Sequence, residues 1–245
     1  MGLLTLGFFA TALLYASVGF GGGSTYSALL ALAEFDYRLL PIVSLACNIL
    51  VVTGSTIRFG RAGLVPWRRA LTLSLIAAPL AFLGGLTPIR EETFLFILGL
   101  CLVLAGLALF LPRAPEREAE PTAAARWMGL AAGPLGYLAG LVGIGGGIFL
   151  APLLHLTRWA RAREIAATAS LFILINSIAG LAGQLAKNGP ERFGEALGGA
   201  LPLLVAVVIG GQLGSLAAQR LLPDWLIRWL TAGLTIWVGG RLLVA

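Results

Sequence analysis

The chain has 245 residues, 58% of them apolar and only 11% charged, against about 25% charged in an ordinary soluble domain. That is the composition of a polytopic membrane protein. The net charge of +6 forms no basic face with interleaved aromatics, so it argues against a nucleic-acid partner and reads instead as membrane-edge anchoring.

Runs able to cross a core about 30 Å thick, at about 20 residues each, lie at 3–33, 39–57, 71–86, 94–111, 127–156, 165–186, 197–222 and 225–244. All 17 Lys and Arg and all 11 Asp and Glu fall at or near the ends of these runs, as the cost of a charge in hydrocarbon requires. Residues 3–18 lack the positive start of a signal peptide and are expected to be retained as structure. Cys47 and Cys101 lie inside spans and read as small apolar residues. No cofactor and no metal site is expected.

The first and fifth runs each contain a cluster of glycines, Val18-Gly19-Phe20-Gly21-Gly22-Gly23 and Val142-Gly143-Ile144-Gly145-Gly146-Gly147. An interior Gly costs a helix about 1 kcal/mol relative to Ala, so both helices should break here. Broken backbone at membrane depth is tolerated where it is buried in protein or lines a cavity. Residues 3–18 would make about 24 Å of helix at 1.5 Å per residue, too short to span alone. An unwound crossing and a re-entrant hairpin both fit. If all eight runs cross, the cations divide 10 against 7; if the glycine segments are hairpins, they divide 12 against 5. The second division is the better positive-inside pattern. It places both termini outside and the charged stretch between the halves in the cytoplasm.

The halves match one another. At an offset of 124, Leu14, Val18, Gly19, Gly21, Gly22 and Gly23 fall on Leu138, Val142, Gly143, Gly145, Gly146 and Gly147. At 126, Ser44-Leu45, Gly54, Gly63 and Gly84-Gly85 fall on Ser170-Leu171, Gly180, Gly189 and Gly210-Gly211. Such register argues for duplication. The expected organisation is a first membrane repeat at 1–112, a polar linker at 113–125 and a second repeat at 126–245. The fold class is an all-α polytopic membrane protein with two homologous halves, inverted relative to one another, each with a Gly-broken or re-entrant helix plus three spanning helices.

Gly143-Ile-Gly-Gly-Gly147 followed by Ala151-Pro152-Leu153, the Thr168-Ala-Ser170-Leu171 segment and Arg61-Ala-Gly63 resemble the sulfite exporter TauE/SafE family of membrane permeases. The resemblance covers nearly the whole chain. It implies transport of sulfur-containing anions such as sulfite or organosulfonates. The first half departs from the pattern, with Ala28-Leu29 where the second has Pro152-Leu153.

No Lys or Arg sits mid-span to pair with an anion. The helix restarting after each loop offers unpaired N–H groups and the positive end of its dipole, and glycine lets a ligand approach closely. The expected substrate site is therefore Gly19, Gly21, Gly22, Gly23, Gly143, Gly145, Gly146 and Gly147, with hydroxyls from Ser24, Thr25 and Tyr26 and side chains of Asn48 and Asn176. Ile148, Phe149 and Leu150 at the corresponding positions make the polar wall one-sided. Thr53, Ser55, Thr168, Ser170, Gln184 and Gln212 face the pore or bridge helices. Isolated pairs such as Gly84-Gly85 and Gly210-Gly211 are expected only to let helices pack closely.

Gly19-Phe-Gly21-Gly-Gly-Ser24 lacks the strand-turn-helix context of a dinucleotide fingerprint. The spans hold no Ser–His or paired-Asp site for a protease, so no enzymatic activity is expected. The expectation is a multi-pass cell-membrane transporter, of a bacterial or archaeal inner membrane, for a small anion, working by alternating access. A non-transporting scaffold or an anion channel is the alternative. Its partners are the anion and the lipid bilayer, with oligomeric state left open.

Overall fold

The computed structural model describes residues 2–18, 21–111, 123–216 and 224–244. Ten helices follow in order: α1 Gly2–Val18, α2 Gly23–Leu32, α3 Leu40–Arg61, α4 Trp67–Leu86, α5 Glu91–Ala108, α6 Met128–Val142, α7 Gly147–Leu156, α8 Ala162–Gly199, α9 Leu201–Leu216 and α10 Asp224–Val244. Among the described residues there is no strand. The expected linker lies outside the described residues as far as 122, and Ala123–Trp127 is a short 3-10 helix leading into α6. Among the described residues four helices, α3, α4, α5 and α8, are long and apolar enough to cross a membrane. This is an all-helical, multi-pass membrane protein.

Eight apolar runs become ten helices because each glycine cluster divides its run. Gly22 has φ +79°, and Gly143, Gly145 and Gly146 have +80°, +81° and +77°. An L-residue pays about 1–2 kcal/mol for that left-handed geometry, which glycine avoids. After the break the chain turns back. Gly7 lies against Leu29, the Phe8 and Tyr26 rings stack at 4.8 Å, and Gly22 lies against Thr11 and Tyr15. α2 therefore runs antiparallel to α1, as one arm of a hairpin. In the second half Gly146 lies against Leu135 and Ala139, positions 124 after Thr11 and Tyr15, and Met128 shares a cluster with Leu150 and Leu154. Of the two geometries left open by arm length, the contacts are those of the hairpin.

The short arms end alike. Ala33, Glu34 and Phe35 donate to the carbonyls of Leu29, Ala31 and Leu30, and Thr157, Arg158 and Trp159 donate to those of Leu153, His155 and Leu154. Glu34 and Arg158 take left-handed φ values of 53° and 48°, the conformation that closes a helix by satisfying its last carbonyls.

Glycine sets how the longer helices meet. Gly84 abuts Tyr137, and Gly136 and Gly140 abut Ala77 and Ala81, so α4 and α6 run parallel. Gly210 and Gly214 abut the carbonyls of Phe9 and Leu13, so α9 runs parallel to α1. Gly85 abuts the Gly180 carbonyl, which brings α8 against α4. Gly99 against Gly239 and the Phe110–Trp229 edge contact at 5.1 Å make α5 and α10 antiparallel. The packing role expected for Gly84-Gly85 and Gly210 is what they perform, while Gly211 meets Val51 only at ordinary contact, 3.7 Å.

The sequence places the end of the sixth span at 186, but α8 continues to Gly199 past a kink at Gly189, φ 78° and ψ 164°, followed by Pro190. Gly63, 126 residues earlier, is also left-handed at φ 66°, and there α3 has already ended. Cys47 and Cys101 are free thiols buried in the main core cluster with Phe8, Tyr26, Phe94 and Leu98.

Candidate site at the meeting of the glycine loops

α3 and α8 carry the side chains that stand against the loops. A methyl group placed on Gly21 would sit 2.6 Å from Asn48 Oδ1, and one on Gly145 would sit 2.8 Å from Asn48 Nδ2. Gly23 faces the same amide and also the Ile144 carbonyl of the other loop. The Asn48 side chain is thus wedged between two loops more than 120 residues apart in sequence, at the depth where α2 and α7 begin. It is fully buried, and neither its oxygen nor its nitrogen has a hydrogen-bond partner among the described residues. A buried polar group left unpaired costs about 1–3 kcal/mol, so this is an unusual residue to keep in a core.

The same helix face braces the first loop. Ser44, one turn before Asn48, donates to the Gly23 carbonyl at 3.2 Å and accepts from Ser27 at 3.0 Å. Across the site, Ser177 on α8 approaches the Gly145 position to 3.2 Å, beside Ile173 at 3.0 Å, and its hydroxyl is buried without a partner. The first N–H groups of any helix lack intrahelical partners; Tyr26 and Leu150, at equivalent positions in the two halves, donate to the Gly22 and Gly146 carbonyls, and Phe149 also reaches Gly146 at 3.2 Å.

The other expected residues fall as follows. Gly19 lies outside the described residues. Gly22 faces Thr11, Tyr15 and Tyr26 inside its own hairpin, away from Asn48; Gly143 is pressed against Pro41 at the start of α3; Gly146 faces Phe172 and Ala139, and Gly147 faces Ile173. Ser24 and Thr25 bond the Tyr15 hydroxyl, Thr25 at 3.0 Å, and Tyr15 continues to Thr231 on α10 at 2.6 Å. Tyr26 stacks on Phe8, with its hydroxyl buried and unpartnered. Asn176 donates to the Phe172 carbonyl of its own helix at 2.8 Å, leaving its oxygen unpartnered. The structure therefore gathers Gly21, Gly23, Gly145 and Asn48, and sends the α2 hydroxyls toward α10.

Residues outside the expected site also contribute. Ser177 was hidden beside Asn176, one position and about 100° around the helix. Arg58, expected at the membrane edge, is half-buried, and its Nη2 donates to the Ala16 carbonyl at 3.3 Å and to Ser55 at 3.2 Å. It thereby caps the arm that enters the first loop. Gln184, 126 residues later, donates to the Gly140 carbonyl at 3.2 Å and does the same for the second. Of the other span polar groups, Thr53 bonds its own helix at Ile49.

Two short helices starting at one buried point, bracketed by membrane-length helices, define a multi-pass membrane transporter of the broken-helix kind. The family model described as sulfite exporter TauE/SafE matches residues 3–242. The chain belongs to that family of membrane transporters. It is 33% identical over 253 residues to a probable membrane transporter protein, y4hK, of Sinorhizobium fredii, covering 98% of this chain and 97% of that protein. No solved structure matches it significantly.

Proposed function

We propose that the protein is a secondary transporter for a small anion, a sulfur oxyanion or organosulfonate such as sulfite, which it moves by alternating access around the point where the two glycine loops meet. The observation that carries this reading is Asn48, buried with both amide atoms unpaired between Gly21, Gly23 and Gly145. Each helix start offers about half a positive charge. Together they offset most of one negative charge without a cationic side chain, leaving the ion weakly enough held to be released. Asn176, whose oxygen has no partner among the described residues, is included in the site, and Ser24 and Thr25 bond the Tyr15 hydroxyl, which continues to Thr231 on α10.

The matched hairpins, matched left-handed residues and matched carbonyl bonds of Arg58 and Gln184 support a duplicated chain. The parallel pairs α1 with α9 and α4 with α6 support inversion of one half relative to the other. Inverted halves interconvert two access states by exchanging conformations. The corresponding topology has both termini outside and the linker 113–125 in the cytoplasm, and single introduced cysteines on a Cys-free background test it.

The function is tested by flux of labelled sulfite, sulfate, thiosulfate and small sulfonates in proteoliposomes. Sulfite or a sulfonate should move well above protein-free vesicles. Folded protein that moves none of these anions sinks the reading.

A further inference from the structure

Resting on that reading, we infer that the species carried is a monoanion that still bears an O–H group, hydrogensulfite rather than the sulfite dianion. Asn48 supplies the reason. Its carboxamide offers one acceptor and two donor hydrogens whichever way it is turned. It is fully buried and has no partner for either end among the described residues. A bare oxyanion can take only the donor and would leave the acceptor oxygen orphaned beside it. A protonated oxyanion satisfies both ends: an Asn48 N–H donates to one oxygen of the ion, and the ion's O–H donates to Asn48 Oδ1.

Charge points the same way. The two helix starts together offer about one positive charge, which matches a monoanion and leaves the second charge of a dianion uncompensated in a buried site. The titratable groups on the elements packed here add none. Cys47 on α3, Tyr15 on α1 and Tyr26 on α2 are ordinarily uncharged at neutral pH. On α3 the cation Arg58 lies ten residues beyond Asn48, about 15 Å along the helix, with its Nη2 on the Ala16 carbonyl, and Arg61 ends the helix three residues further on. On α7 and α8, His155, Arg163, Glu164, Lys187, Glu191, Arg192 and Glu195 lie near or beyond the ends of the apolar runs. A substrate that carries its own proton also suits a transporter whose apolar runs carry no mid-span carboxylate. The proton travels on the substrate, so hydrogensulfite flux is equivalent to dianion and proton moving together.

The test uses the full-length protein in proteoliposomes with equal pH on both sides and labelled sulfite, from mildly acidic to mildly alkaline. The KM on total sulfite should rise with pH in step with the falling hydrogensulfite fraction, and KM recalculated on hydrogensulfite should stay constant within twofold. Methanesulfonate, a monoanion with no O–H, should compete at least tenfold more weakly than hydrogensulfite. Asn48→Leu, where it retains measurable flux, should lose that preference. A KM on total sulfite that is flat or falls as pH rises overturns the inference while leaving sulfite transport standing. Absence of sulfite flux at every pH overturns the functional reading and the inference with it.

Discussion

Around the first glycine loop, Ser24, Thr25 and Tyr26 begin the short helix and Asn48 stands opposite. Around the second, Ile148, Phe149 and Leu150 begin it, and the position 126 after Asn48 is Leu174. The backbones nonetheless agree: Gly22 and Gly146 share a left-handed φ, Tyr26 and Leu150 make the same return bond, and Arg58 and Gln184 bond equivalent carbonyls. The two halves thus share backbone geometry, while hydroxyls at the start of the short helix and an Asn at the position of Asn48 occur in the first alone. The difference separates two tasks. Two helix starts can supply charge compensation from either half, because every backbone carries N–H groups. In the function proposed above, recognition of a particular ion is assigned to α3 and its Asn48.

The sharpest way to break the shared part is Gly22→Val or Gly146→Val. Each forces a β-branched residue into the left-handed region, at about 1–2 kcal/mol or more, and adds an overpacking cost of about 1–3 kcal/mol against Thr11 at 3.0 Å or Phe172 at 3.0 Å. Against a marginal total stability, the expected outcome is loss of the monodisperse peak in gel filtration, with no transport. Because Gly22 faces its own hairpin, close approach to the ion is tested better at Gly21→Ala and Gly145→Ala. These would displace the Asn48 amide, and Gly21→Ala should fold yet lose at least tenfold in flux. Two folded and active valine variants would show that the left-handed turns are dispensable.

Next in size is Asn48→Leu, which makes the first half like the second. Removing a buried amide that has no partner should raise the unfolding temperature, since the unpaired group costs about 1–3 kcal/mol. The same change should cut transport per folded molecule by tenfold or more. Falling stability with unchanged flux would mean that Asn48 is a packing residue. Asn176→Leu should cost less flux, because that side chain already has one bond to the Phe172 carbonyl.

What was legible beforehand divides along the same line. Four glycines in five residues inside an apolar run announce a broken helix, and their repetition at a fixed offset announces that it happens twice, because backbone conformation is a local property of residue type. The destination of Ser24 and Thr25 was not legible. α2 is ten residues long and packed among α1, α3 and α10, so no amphipathic pattern distinguishes the face toward α3 from the face toward α10. Residue type singles out Asn176, yet neighbouring positions on a helix point about 100° apart, and Ser177 is the one brought against Gly145. Arg58 looked like an anchor because it ends a span. Only the hairpin, which brings the close of α1 beside the close of α3, gives it a carbonyl to bond.

Arg58 offers a milder intervention. Arg58→Gln gives the first half the residue that already bonds the Gly140 carbonyl in the second, and it should keep more than half of the flux. Arg58→Ala removes the bond to Ala16, worth about 0.5–1.5 kcal/mol, and loosens the arm entering the loop; flux should fall severalfold. The ratio between the two variants, measured per folded molecule, tells a positional role from an ionic one. Equal and complete loss in both would mean that the positive charge itself holds the anion.

The smallest effect is expected at Arg158, the cation nearest the end of α7. Its side chain is exposed, and its φ of 48° makes the turn that closes the helix. Arg158→Ala leaves the same left-handed strain in place and removes only a solvated charge, so flux should change by less than twofold. Arg158→Gly relieves the strain, which is about 1–2 kcal/mol for an L-residue, but gives back part of that gain through the extra freedom of glycine in the unfolded chain. The net should be a small rise in unfolding temperature at unchanged flux, and Glu34→Gly should behave alike if the two hairpins close by the same means. Folded Arg158→Gly that no longer transports would place an edge cation in the path of the anion. The division of labour between a backbone cradle and Asn48 would then be incomplete.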